Sequence, residues 1–222
     1  KRVNYEVLDS VKDSAKWESA LSIFPDELRD IYFYPEYVGM HKLIQGTKAL
    51  LFIFRESGNL WIHPFLLQPI DSDGFSLNGG PWFDIESAYG YGGPLSNTED
   101  QAFLVEANES FREWCKKNKV VAEFLRFHPI IKNERWTSEF HSIKQQRYTL
   151  SVKPGHSEGP FYKNAKVRNK LRRVKKNSIS VHEINIDLYF KSFVDLYLQN
   201  MERVNADKYY HFNTNYFYEL KK

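Results

Sequence analysis

Apolar residues recur along this chain with two periods, and the switch from one to the other marks its elements. Between Asp13 and Phe24, Trp17, Leu21 and Phe24 fall on one helical face, and Pro25 ends the run. A second helix is predicted from Pro35, a residue suited to a first helical turn, to a stop before Gly46. The period then changes. Ala49 to Arg55 and Leu60 to Ile70 read as strands joined by Glu56-Ser57-Gly58-Asn59, a hairpin signal. Turns follow at Asp71-Ser72-Asp73-Gly74 and Asn78-Gly79-Gly80-Pro81, around the short run Phe75-Ser76-Leu77.

Thr98 and Gln101 have capping-box spacing, and Phe103, Ala107, Phe111 and Trp114 mark the buried face of the helix after them. Val120 to Phe127 is nearly all apolar, the pattern of a strand covered on both faces, with Glu123 and Arg126 as exceptions; His128-Pro129 ends it. Gln146 to Val152 and Ile179 to Ile184 are further predicted strands. Asp187 to Arg203 reads as a helix with Phe190, Val194, Tyr197 and Met201 inward, and Thr214 to Leu220 as a last helical segment. Gly and Pro concentrate in Pro154 to Pro160. The expected organisation is therefore an α+β sheet domain over residues 1–152, a linker over 153–160 and a helical start of a second unit over 161–222.

Composition narrows the picture. A chain of 222 residues with 42 % hydrophobic content has material for a core, and its longest apolar runs are too short and too interrupted to span a bilayer. The opening Lys1-Arg2-Val3-Asn4-Tyr5 is not that of a signal peptide, and the single Cys115 excludes an internal disulfide framework or a multi-cysteine zinc site, so a reducing cytoplasm is expected. Net charge is only +3. Eight basic residues and no acidic one lie between Lys163 and Lys176, and the rest of the chain holds 23 basic against 28 acidic residues. The basicity is local, which points to one anion-binding patch rather than a general nucleic-acid coat.

Within that patch, Val167, Leu171 and Val174 form a narrow apolar stripe. Lys166, Lys170 and Arg173 flank it on one side, and Arg168, Arg172 and Lys175 on the other. Like charges at this spacing cost a helix roughly 0.2 to 0.5 kcal/mol per pair, and an anion relieves that cost. The helix reads equally as a solvated face paired with acids elsewhere or as a phosphate platform, where the arginine fork matches phosphate oxygens.

No Gly-x-Ser-x-Gly elbow, phosphate-binding Gly-Lys loop or His-Glu-x-x-His pair occurs, and the seven histidines do not fall at metal-ligand spacing, so no metal is expected. The Gly90 to Pro94 loop can present backbone N–H groups to an anion or an acyl carbonyl, with Tyr89 and Tyr91 as walls. Strand alternation places Arg126 and His128 on one side, where the arginine can bind an anion and the histidine move a proton; burial against other partners is the competing reading.

Several of these stretches, in this order, resemble one family. Tyr89-Gly90-Tyr91-Gly92-Gly93-Pro94-Leu95, the strand Ala122 to Pro129, Lys166-Val167-Arg168 through Val181, and Phe193 to Ala206 with Tyr210, Phe212 and Tyr216-Phe217 are similar to FemAB-like proteins of the GNAT acyltransferase superfamily. Asp30 to Tyr37 resembles an opening found in the branch associated with surface polysaccharides. The resemblance implies a GNAT-like mixed sheet flanked by helices, then the start of a second GNAT-like unit that looks truncated. It implies transfer of an acyl or aminoacyl group from acyl-CoA or aminoacyl-tRNA, as donor substrates rather than tightly bound cofactors. The acceptor would be an amine on a phosphate-bearing or lipid-linked cell-envelope precursor, or on a nucleotide-linked sugar.

Arg168 matches the arginine that peptidoglycan-bridge enzymes direct at acceptor phosphates, and Lys42 resembles their second phosphate-binding lysine. Lys166 and Arg172 are expected to assist, with Tyr91 and the Gly92 backbone lining the acceptor cleft; no catalytic base is identified. The superfamily's (Gln/Arg)-x-x-Gly-x-(Gly/Ala) pyrophosphate loop is absent, and Lys170 and Asn177-Ser178 differ from the bridge enzymes' helix. The rival expectations are a non-catalytic module that binds RNA or a phosphorylated glycan through the same helix, and a helix that serves only as a domain interface.

Overall fold

The computed structural model of the chain describes residues 4–70, 79–137, 141–151 and 164–221. It divides into two compact units, residues 1–145 and 146–222. The expected linker over 153–160, the turn at Asp71 to Gly74 and the run Phe75-Ser76-Leu77 lie outside the described residues.

The first unit is α+β, with a mixed sheet flanked by helices. Its elements are β1 (Tyr5–Asp9), α1 (Ser14–Leu21), α2 (Pro35–Met40), β2 (Lys48–Glu56), β3 (Asn59–Pro69), β4 (Phe83–Glu86), β5 (Leu95–Ser96), α3 (Gln101–Lys117) and β6 (Val120–Phe124). The predicted hairpin is present: β2 and β3 pair antiparallel from Lys48↔Leu67 to Glu56↔Asn59, and the turn places Ser57 and Gly58 at positive φ. Strand order is β1-β2-β3-β4-β6, with β5 also paired to β3. All pairings are antiparallel except β4 with β6, which the crossover through α3 makes parallel.

β3 is buried along nearly its whole length because both its faces are covered. Phe111 of α3 packs its ring against Phe52, Trp61, His63 and Phe65, which share one face by strand alternation. The alternate residues Leu51, Ile53 and Ile62 are equally buried, and the apolar faces of α1 and α2, with Trp17, Leu21 and Val38, complete that second layer. α3 begins two residues later than capping-box spacing predicts. Asp100, not Thr98, is the N-cap, accepting from the Ala102 and Phe103 N–H groups at 2.9 and 3.3 Å, while Thr98 Oγ1 accepts from the Asp100 N–H.

Three strand expectations fail, each for want of a neighbour. β6 stops at Phe124 and lies at the end of the strand order; Val121 is 52 % and Phe124 65 % exposed, so it is not covered on both faces. Residues 146–151 and 179–184 form no strand: Tyr148, Leu150 and Val181 are more than four-fifths exposed, and no strand partner meets them among the described residues. Alternating apolar residues make a strand only when an adjacent strand takes up the backbone hydrogen bonds.

The second unit consists of α4 (Ala165–Lys176), α5 (Ile186–Arg203) and α6 (Thr214–Lys221). Its core is aromatic. Phe190 and Val194 of α5 are buried together with Phe212, Tyr216 and Phe217, and the Phe212 and Tyr216 rings stack 4.1 Å apart. Tyr197 and Met201, expected inward, are half-buried. α4 contributes no buried residue.

Candidate functional site

The first unit gathers a polar and aromatic cluster around the Gly90 to Pro94 loop. Gly90 sits at φ +104 with the edge of the Tyr32 ring where a Cβ would lie, and a Cβ on Gly92 would fall 2.6 Å from that of Ser87. Only glycine lets the loop come this close to its neighbours. The loop's polar groups are then used to pair it with the chain beyond β6. Gly92 N–H donates to the Arg126 carbonyl at 2.9 Å, the Arg126 N–H donates to Ser87 Oγ at 3.2 Å, and buried Asn133 donates from Nδ2 to the Gly92 and Pro94 carbonyls. The Gly92 N–H is thus engaged within the fold and is not presented to an anion or an acyl carbonyl.

Tyr91 is half-buried and meets Tyr32 edge-on at 5.3 Å; Tyr32 meets Tyr37 in the same way at 5.2 Å, and Tyr91 lies 5.1 Å from the His128 ring. His128 is buried and Arg126 is exposed, because the strand ends at Phe124 and its alternation does not carry forward to them. Nδ1 of His128 accepts from the N–H groups of Ile131 and Ile130 at 3.1 and 3.3 Å, which places the ring proton on Nε2, where it donates to Asp30 Oδ2 at 3.1 Å. With both nitrogens engaged, His128 holds Asp30 in place rather than offering itself as a proton carrier. Burial raises the Tyr32 phenol pKa, and the nearby charges of Asp30, Tyr91 and Tyr89 raise it further.

A second polar cluster lies beneath α3. Glu123 of β6 accepts from His63 Nε2 at 2.8 Å and from His141 Nε2 at 2.9 Å, one on each oxygen. Burial alone pushes the Glu123 carboxyl up, but the hydrogen bonds and charges of His141 and His63 overcome it and hold the pKa at about 2. The recess around this trio is lined by Trp61, Asn108, Phe111 and Leu125 among others and has no room for a water molecule. Cys115 of α3 is pushed up as a thiol by burial and by the Glu123 charge. Among the described residues no group of His, Cys, Asp and Glu has the geometry to hold a metal ion.

Lys42 is exposed just beyond α2. Burial opposes ionisation of Asp9, but the Lys12 and Val11 N–H groups, with the Lys42 charge, hold its carboxyl below the usual value. The N-terminus of α3 is occupied by the Asp100 carboxylate, and Glu99 beside it accepts from Arg135 and the Trp136 indole. That helix end, where backbone N–H groups could otherwise attract an anion, is already filled by acids.

Lys166, Arg168 and Arg172 belong to the second unit, on α4, whose first turn carries no acid and is capped by Asn164 accepting from the Lys166 N–H. Every cation of α4 is exposed, and among the described residues no carboxylate pairs with Lys166, Lys170, Arg172, Arg173, Lys175 or Lys176. The apolar stripe has no deep cover either: Val167 and Val174 are half-buried and Leu171 is 42 % exposed.

Of the residues singled out in the sequence, Tyr91, Gly92, His128 and the Arg126 backbone are brought together. Sequence reasoning missed Asp30 and Tyr32 as their partners, and His63 and His141 as those of Glu123. The acid beside an aromatic-rich run at Asp30 to Tyr37 was the available signal for the first pair. Nothing local marks the second, since His63 and Glu123 are 60 residues apart. Compared with family models, curated proteins and solved structures, the chain finds no match.

Proposed function

We propose that this chain is a FemAB-like, GNAT-type N-acyltransferase. It passes an acyl or aminoacyl group from acyl-CoA or aminoacyl-tRNA to an amine on a phosphate-bearing cell-envelope precursor or nucleotide-linked sugar. The observation that carries the reading is α4, a helix of seven cations, all exposed, with no acid in its own sequence. Mutual repulsion along such a helix is relieved when phosphate oxygens bind across it, and the guanidinium fork suits them. The ordered motifs around Tyr91, Arg126 and Arg168 support the transferase class, as does the α+β unit with its parallel β4–β6 pair.

In this reading Arg168, Arg172 and Lys166 hold phosphates while the acceptor amine attacks the donor carbonyl. The tetrahedral intermediate then collapses, expelling the thiol or the ribose hydroxyl, and the proton lost by the amine goes to the leaving group or to water. Positioning supplies most of the rate, and no covalent enzyme intermediate is required. Glu123 is unsuited as the base, since both its oxygens are bonded and its pKa is held at about 2. Asp100 and Glu99 leave no phosphate site at the α3 N-terminus, so in this reading phosphate binding falls to α4.

The test is transfer by the full chain from each donor class to amino sugars and peptidyl amines with and without phosphate. Arg168→Ala with Arg172→Ala is expected to raise KM for the phosphorylated acceptor by about tenfold or more, one lost charged contact being worth roughly 1.5 to 3 kcal/mol, and to leave the dephosphorylated one little changed. Absence of transfer with every donor sinks the reading. A non-catalytic module for RNA or a phosphorylated glycan is the second reading, favoured by the same exposed cations. It requires affinity that falls steeply with salt and no turnover.

A further inference from the structure

The cluster in the first unit contains an acceptor set that the fold does not use. Asp30 is 38 % exposed along its side chain and is fixed through Oδ2 by the buried His128. His128 is itself fixed by the Ile130 and Ile131 N–H groups on its ring, and by Asn133, which accepts the His128 backbone N–H at 2.8 Å. Oδ1 of Asp30 has no partner among the described residues, and no lysine or arginine pairs with it there. The phenol oxygens of Tyr32 and Tyr91 likewise make no hydrogen bond among the described residues, although the rings are locked edge to face at 83°. The carboxylate is thus held on His128, whose ring lies 5.9 Å from that of Tyr32 and 5.1 Å from that of Tyr91, and Tyr37 packs edge-on against Tyr32.

We propose that Asp30, Tyr32 and Tyr91 form a receiving site for a primary ammonium group. An ammonium has three N–H donors and no acceptor, which matches one carboxylate oxygen and two phenol oxygens, and it is attracted to aromatic faces. Burial raises the Tyr32 phenol pKa most, and the charge of Asp30 adds to it in the same direction. Sequence distance hides the arrangement: Asp30 and His128 are 98 residues apart and meet only in the folded unit. The assignment deepens the transferase reading and rests on it only in identifying the bound amine as the acceptor.

The experiment titrates the full chain with butylammonium chloride at neutral pH, following tyrosine ring resonances by NMR, with butanol as the uncharged counterpart. The expected result is saturable shifts of Tyr32 and Tyr91 with butylammonium and none with butanol. Asp30→Asn, which keeps the shape and an acceptor for His128, is expected to weaken binding about tenfold, and Tyr91→Phe about threefold, as loss of a charged and of a neutral hydrogen bond requires. Equal shifts from butanol, or unchanged affinity in Asp30→Asn, overturn the proposal. Amine binding that depends on Asp30 without transfer from any donor upholds the site and sinks the transferase reading. Transfer with an unchanged KM for the amine in Asp30→Asn does the reverse.

Discussion

Glu123 shows what one half-buried carboxylate sets for this protein. Its folded pKa of about 2 lies below its ordinary value of 4.5, so its contribution to stability is complete above pH 4.5 and is lost as pH falls toward 2. The shift corresponds to about 3 kcal/mol. Glu123→Gln is therefore expected to lower stability by that order at pH 7, and denaturant titrations should show the gap to the parent closing between pH 4.5 and 2. A gap that does not change with pH would mean that the histidines do not hold the carboxylate ionised. Gly90 is a second test at this scale. Gly90→Ala places a methyl on the Tyr32 ring edge at a φ of +104 and is expected to cost about 2 kcal/mol and to shift the Tyr32 and Tyr91 resonances. The glycines of this loop stood out in the sequence. Their reason did not, because it depends on Tyr32 and Ser87 reaching them from elsewhere.

Elements were legible where their signals are local. α1, the β2–β3 hairpin, α3 and α5 follow from periodicity and turn residues that act within a few positions. Even there the cap of α3 moved to Asp100, because its carboxylate reaches two N–H groups at once. Asp100→Ala should cost about 1 kcal/mol in thermal unfolding, as loss of an N-cap does. β6 was misread because an apolar run looks the same whether covered on two faces or one. Phe124→Lys is accordingly expected to change stability by no more than about 0.5 kcal/mol, since the side chain is 65 % exposed; a loss of several kcal/mol would show that the strand is covered after all.

At the scale of the molecule the two units differ in what holds them. The first unit packs β2 and β3 between two helical layers, whereas the second buries a handful of aromatic residues and leaves α4 with none. Native-state hydrogen exchange should be slowest in β2 and β3 and fast throughout α4, and comparable protection of α4 would contradict its exposure. The amino-acid order by itself determined the helices, the hairpin and the concentration of positive charge in one short helix, because periodicity, turn chemistry and charge act between near neighbours. Tertiary structure alone decided that Gly92 spends its N–H on Arg126, that Glu123 joins His63 to His141, and that Asp30 meets His128 beside Tyr32 and Tyr91. Those meetings depend on strand order and on where each strand ends, which are set by competition for backbone partners and buried area across the whole unit, and no local stretch encodes that outcome.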